Sequence, residues 1–268
     1  MKNLALTLTI LCAFAALAYA GPEHSSVKEM APTVAAPACH DWSGFYVGGF
    51  GGYKFGNIDT NLDPNGDWNT SPPDRDSIRS NAPGDLDTSG AEAGALIGFN
   101  WQFHNCWVVG LEADGGYLWL RDSHSSGTFS NPLAASDKGI ETSFKTTYLF
   151  TVAPKIGYSL GNWLPYVTGG LAVGDLQFDQ RLHNVTSANA GPYTSGGSVE
   201  ETHAGWMVGG GLQYAFNNRW SVRAQYEYVD LGSVAFQAPG SVGFTTFSTH
   251  NRASLTEHNA SFAIIYGF

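Results

Sequence analysis

The sequence predicts an all-β fold: an eight-stranded antiparallel up-and-down transmembrane β-barrel with short periplasmic turns and long extracellular loops. Three observations carry this expectation. Eight segments alternate, with a period of two, between an apolar face and a polar or small face. The links between them are short and long in strict turn, the asymmetry of a bacterial outer-membrane barrel. Finally, the chain opens with Lys2 and the apolar run "LALTLTILCAFAALAYA", closing on Ala18-Tyr19-Ala20, the pattern of a secretory signal peptide cut before Gly21.

Residues 1–20 are therefore read as a signal peptide, too short and wrongly flanked for a membrane anchor. Cys12 follows Leu11 rather than a small residue, which argues against lipoprotein attachment. Residues 21–40, "GPEHSSVKEMAPTVAAPACH", carry three prolines and no periodicity, and read as an extended periplasmic linker. The barrel is expected over 41–268.

The strands are expected at 42–56, 88–103, 107–120, 143–160, 163–178, 201–216, 220–231 and 254–268. The first, within "DWSGFYVGGFGGYKFG", is at once aromatic and rich in glycine. That mixture suits a strand with lipid on one side and a crowded, tightly curved lumen on the other. The second alternates most clearly: Ala91, Ala93, Ala95, Ile97, Phe99 and Trp101 share one parity, Glu92, Gly94, Gly98 and Asn100 the other. Similar alternation runs through Phe144–Tyr158, Ala204–Phe216, Trp220–Tyr228 and Phe262–Phe268, while the first and fifth strands alternate less cleanly. Tight turns are expected at His104-Asn105-Cys106, Gly161-Asn162 and Asn217-Asn218-Arg219. Long polar loops are expected at 57–87, 121–142, 179–200 and 232–253.

A soluble β-sandwich would alternate too, but would set its apolar parity inside and a polar parity in water. Here the polar parity is rich in glycine and alanine with few charges, a poor solvated surface. Trp42, Trp101, Trp107, Trp163, Trp220, Tyr266 and Phe268 fall at strand ends, where interfacial girdles sit. Composition agrees: 33 glycines, 16 phenylalanines, 12 tyrosines and 8 tryptophans suit strands and turns. Only Lys2 of the 13 basic residues lies in 1–20, so 12 face 23 acidic ones, and nucleic-acid binding has no electrostatic basis.

Glu92, Glu112, Asp114, Lys145, Lys155, Arg223, Glu227 and Glu257 are assigned to the inward parity. In a lumen this narrow they are expected to form an ion-pair network centred on Lys145, Lys155 and Arg223, not an acid–base site. Gly48–Gly52 and Gly209–Gly211 lack the strand–loop–helix context and the Gly-Lys-Ser/Thr ending of a phosphate loop. "DPNGDW", Asp63 to Trp68, is a fragment of a calcium loop without its distal glutamate, and reads as acidic surface. His124, His183 and His250 in the long loops, with His203 near the rim, are candidate haemin ligands; solvated loop histidines are the plainer reading. No Ser-His-Asp grouping can be assembled. Cys39 before the first strand and Cys106 in the second turn share the periplasmic end, one strand apart, so a disulfide between them is feasible.

"GLEADGGYL", "PYVTGGLAVG", "GWMVGGGLQYAFNNRWSVRAQYEYVDLG" and the terminal "ASFAIIYGF", together with the first strand, resemble the small outer-membrane β-barrel immunogens of alphaproteobacteria, a porin-family group. The likeness covers Asp41–Phe268, in the strands and not the loops. It implies an eight-stranded barrel in the outer membrane, a surface-antigen or envelope-integrity role and, for some members, haemin binding. It also implies that Phe268, with Tyr266 and Ile264 on its parity, is the signal read by the barrel-insertion machinery. The expectation is thus a non-enzymatic protein without a cofactor, surrounded by outer-membrane lipid and lipopolysaccharide. A narrow porin-like channel and a loop-mediated haemin receptor or adhesin are the alternatives. The loops carry no signature that names an external ligand, and oligomeric state is open.

Overall fold

The computed structural model describes residues 39–66, 72–82, 84–131, 136–187, 194–242 and 245–268. The expected signal peptide and most of the linker lie outside them. Eight strands follow one another around a closed barrel. They are β1 (Gly44–Gly66), β2 (Asp85–Gln102), β3 (Trp107–Asn131), β4 (Ser136–Tyr158), β5 (Trp163–Ser187), β6 (Thr194–Ala215), β7 (Trp220–Val242) and β8 (Thr245–Gly267). All neighbours are antiparallel, and β1 closes on β8 from Tyr46↔Gly267 to Gly66↔Phe247. The three tight turns lie together at one end, with the start of β1 and with Phe268, whose N–H donates to Phe45 O at 3.0 Å.

The strands are longer than expected. β2 has 18 residues and β3 has 25. A residue advances about 3.3 Å along a strand tilted by about 40°, so roughly ten residues cross an apolar band about 25 Å tall. Most strands therefore continue well past the membrane, away from the turns. Of the segments expected as loops, 57–87 is sheet at 57–66 and 85–87, and the described residues of 121–142, 179–200 and 232–253 are sheet. The first of them also carries a helix, α1 (Pro72–Asn81), which begins on Pro72 where a missing N–H costs nothing.

The reason lies in the side chains. On β8 the outward parity reads Arg252, Ser254, Thr256 and His258, then Ala260, Phe262, Ile264 and Tyr266, while the inward parity reads Ala253 and Leu255, then Glu257, Asn259 and Ser261. Where lipid lies outside, the apolar set faces out and polar groups fill the lumen. Where water lies outside, the arrangement inverts and an apolar core fills the interior. Ile58, Phe144, Leu149, Leu176, Phe178, Val229, Leu231, Val234 and Leu255 form it, all at most 5% exposed. Above it Ile78 of α1 is fully buried against Leu62, Ile140 and Leu182.

The sheet also changes topology at that height. β6 pairs with β7 only from Trp206↔Asp230 to Ala215↔Ser221, and β2 with β3 only from Glu92↔Leu118 to Gln102↔Val108. Beyond these points β3-β4-β5-β6 and β7-β8-β1-β2 continue as two four-stranded sheets that share the apolar core between them. The chain is a cylinder toward its turns and a sandwich at the far end. The apolar-inside pattern set aside for the whole chain thus holds for its outer part, because water replaces lipid there.

Candidate functional site: a filled lumen

Two polar layers cross the lumen within the cylinder. In the layer nearer the turns, Glu112 of β3 is held from three sides. Arg223 Nη1 on β7 donates to both of its carboxylate oxygens at 2.7 Å, Tyr46 of β1 donates its hydroxyl at 2.7 Å, and Lys155 Nζ of β4 approaches to 3.3 Å. The same ammonium lies 4.4 Å from the ring centroid of Tyr46 and 5.4 Å from that of Tyr166, so its charge also meets two aromatic faces. That residues of β3 and β7 touch directly shows how little width remains, as eight strands dictate. Asp114 accepts a hydrogen bond from Thr151 Oγ1.

The second layer is built on Lys54 of β1, which is fully buried. Its Nζ lies 3.5 Å from Glu92 Oε2 on β2 and 3.4 Å from Glu257 Oε2 on β8. Glu227 accepts from Asn259 Nδ2 at 3.0 Å and from Gln225 Nε2. Gly52 makes the room: a Cβ there would come within 2.9 Å of Glu92 Oε1 and 2.7 Å of Ala260 O. Glu92, Glu112, Lys155, Arg223, Glu227 and Glu257 are all at most 7% exposed.

One expected member does not belong. Lys145 faces outward, because β4 bulges between Lys145 and Leu149. The bulge frees two amides, Thr147 N–H and Tyr148 N–H, and both donate to Asp175 Oδ1 at 2.8 Å. The inserted residue exchanges the faces of everything beyond it, so a parity counted straight through misplaces Lys145. The cation that sequence reasoning missed is Lys54. Its signal was present, since in "GGYKFG" it alternates with Tyr53 and Phe55 and shares a parity with Tyr46. Tyr46 and Tyr166 complete the first layer, and the sequence reading assigned neither of them a role.

The turn end is closed by Trp42, not ringed by it. Trp42 is 8% exposed, packs with Val108, Leu164 and Ala215 inside the barrel mouth, and donates its Nε1–H to Ser159 Oγ at 3.1 Å. It was expected in the girdle, but it precedes β1 and folds inward over the end of the cylinder. Trp101, Trp107, Trp163, Trp220 and Phe268 do project outward, and Tyr266 lies beside them, its hydroxyl accepting from Arg219 Nη1 at 3.5 Å. A second outward set follows along the strands, Tyr53, Tyr117, Trp119, Trp206 and Tyr226; Tyr117 lies ten residues from Trp107 and Trp206 ten from Phe216, about the spacing of the opposite membrane interface.

Cys39 and Cys106 are joined by a disulfide with a Cα–Cα separation of 5.9 Å, tying the chain ahead of β1 to the β2–β3 turn. The four candidate histidines stand on different strands: His124 on β3, His183 on β5, His203 on β6 and His250 on β8. None is in a loop. Among the described residues no group of three or more His, Cys, Asp and Glu is placed to hold a metal ion. In the former calcium-loop fragment, Asp63 belongs to β1 and pairs with Arg79 of α1; Asp67 and Trp68 lie outside the described residues.

A family model, the outer membrane protein beta-barrel domain, matches residues 30–268. The 31 kDa outer-membrane immunogenic protein of Brucella melitensis is 31% identical over 206 residues, covering 75% of this chain and 76% of that protein. The 25 kDa outer-membrane immunogenic protein of Brucella abortus is 23% identical over 90% of this chain and 89% of its own. The 22 kDa outer membrane protein of Rhizobium leguminosarum is 28% identical over 72% of this chain and 65% of its own. Among solved structures, Neisserial surface protein A aligns over 84% of this chain and 98% of its own, at 13% identity and a TM-score of 0.33. Short turns at one end and long extensions at the other make the turn end periplasmic and the sandwich extracellular, as in outer-membrane barrels generally, and by the match over residues 30–268 the chain belongs to the outer membrane protein β-barrel family.

Proposed function

We propose that the protein is a non-enzymatic, closed barrel that strengthens the outer membrane and carries a folded β-sandwich on the cell surface. The observation behind this reading is that, among the described residues, side chains fill the interior at successive levels. Trp42 and its neighbours fill the periplasmic mouth, with Tyr46, Leu96, Ala263 and Ile265 above them. The two charged layers follow, then the apolar core, then Ile78 of α1 at the far end. A channel needs a continuous wetted path, and a catalytic carboxylate needs room for a substrate. Here the carboxylates meet cations and amides instead. Lipid and lipopolysaccharide surround the outward aromatic sets, and the exposed Phe268 presents the C-terminal signal to the insertion machinery.

Planar-bilayer recording on the refolded full chain tests the reading. No conductance steps above the bare bilayer are expected. Reproducible unitary steps from the unmodified protein would place it among narrow channels.

A further inference from the structure

On the extracellular side the sandwich is open along one edge, between β6 and β7. The cause is a bulge in β7 between Asp230 and Gly232. Gly232 adopts φ +75°, and its N–H donates to Asp230 Oδ1 at 2.8 Å rather than to β6. The β6–β7 ladder stops at Trp206↔Asp230, the last pair before that turn of the chain. β6 continues from Gly205 to Thr194, and this stretch is paired with β5 alone.

Which amides are left facing the opening follows from the turn. Phe216 N–H donates to Trp220 O, toward β7, and Ala215 N–H donates to Asn162 O, toward β5. With no irregularity in β6, the even-numbered residues direct N–H and C=O toward β7. Beyond Trp206 these are Ala204, Thr202, Glu200 and Ser198. Exposure on the inward parity rises beside the gap: Met207 is 2% exposed, whereas the side chains of His203 and Glu201 are 22% and 56% exposed, before Val199 packs against the core again.

The opposite seam, between β2 and β3, is occupied: α1 packs against both β1 and β3 there. The β7 edge is blunted by its bulge and by Pro239, two devices that discourage strand pairing. The β6 edge has neither. Its chemistry is one-signed, since residues 194–206 and 229–242 contain no Lys or Arg while Glu200, Glu201 and Asp230 line the opening. Glu201 holds His203 Nε2 at 3.2 Å.

We propose that the β6 edge from Ser198 to Ala204 binds an extended, basic peptide segment of a partner protein as an added strand. Main-chain hydrogen bonds to four alternate residues supply the affinity, and Glu200 and Glu201 select positive side chains. The inference rests on the surface-display reading, but its test is separate, because peptide binding and conductance are independent measurements.

The probe is a synthetic ten-residue peptide alternating Lys with Val and Thr, added to the full chain in lipid nanodiscs. Amide hydrogen exchange should slow at Ser198, Glu200, Thr202 and Ala204 and stay unchanged at Val199, Glu201 and His203. A fully N-methylated version with the same side chains should bind at least about thirtyfold more weakly. An acidic counterpart with Glu for Lys should lose at least about tenfold, and the E200K/E201K variant should abolish that preference. No binding of the basic peptide, equal binding of the methylated one, or protection without the alternate pattern would overturn the proposal. A concentration-dependent dimer that protects the same four amides would overturn the assigned occupant, leaving the edge to a second copy.

Discussion

Replacing Glu112 with Gln keeps the shape of the side chain and removes the one carboxylate that Arg223 and Lys155 share. Both cations are at most 4% exposed, so neither reaches water when its partner goes. Tyr46 retains an acceptor in the amide oxygen, so the loss is electrostatic rather than one of packing. Breaking a buried pair in this way costs about 3–5 kcal/mol. With a urea slope of about 2 kcal/mol/M, the unfolding midpoint should fall by roughly 2 M. The assay is reversible urea unfolding in lipid vesicles, followed by tryptophan fluorescence and by the migration shift between folded and heated protein. Adding K155M to E112Q returns the layer to its original net charge and should recover about half of the loss. A midpoint change under about 0.5 M for E112Q, or a double variant weaker than the single, would refute the claim that the shared Glu112 carboxylate holds this layer together.

G94A should destabilise by more than about 2 kcal/mol, because its Cβ would lie 2.2 Å from Gly115 O and 2.6 Å from Phe50, whereas G51A, with 3.7 Å to Glu92 O, should stay within about 0.5 kcal/mol by the same unfolding assay. W42A should cost about 3–5 kcal/mol and speed hydrogen exchange at Val108, Leu164 and Ala215, its neighbours in the periplasmic mouth. Reduction of Cys39–Cys106 opens a loop of sequence separation 67 and should lower stability by up to about 4 kcal/mol, with the reduced chain still migrating as a folded barrel before heating.

The membrane-spanning part of each strand was legible because lipid and lumen impose opposite demands on alternate residues, as Ala91 to Trp101 against Glu92 to Asn100 shows. The extracellular part was not, for two reasons. "NIDTNLDPNG" has the composition of a loop, yet Ile58 and Leu62 alternate within it and point into the core. On β8 the apolar parity moves from Phe262, Ile264 and Tyr266 to Ala253 and Leu255, and a change of phase looks like the end of a strand. β4 hides the inversion differently. Its apolar residues Ile140, Phe144, Phe150, Val152 and Ile156 all keep the even parity, but the bulge at Thr147 and Tyr148 carries that parity from lipid at Phe150 to the interior at Phe144. Lys145 was misplaced by that step. The Cys39–Cys106 pair needed only topology, since both positions are fixed by where β1 starts and β2 ends.

The split into two sheets and the inversion of the faces have one physical origin. In hydrocarbon every backbone N–H and C=O must find a partner within the protein, so the strands there close completely, and the narrow cylinder they form takes polar layers such as Glu112–Arg223 and Lys54–Glu257. Past the membrane, water satisfies an open edge, and closure is no longer imposed. Two sheets about 10 Å apart then offer what a cylinder does not, a flat slot that aliphatic and aromatic side chains fill from both sides. The core from Ile58 to Leu255 takes that form. The β7 bulge at Gly232 and the end of β2–β3 pairing at Leu118 both fall at the level where Trp206 and Trp119 project into the outer interface. Edges therefore appear only where water can reach them. A free β6 edge placed one turn of sheet lower, beside Val208, would leave unpaired amides in lipid, and the chain has none there.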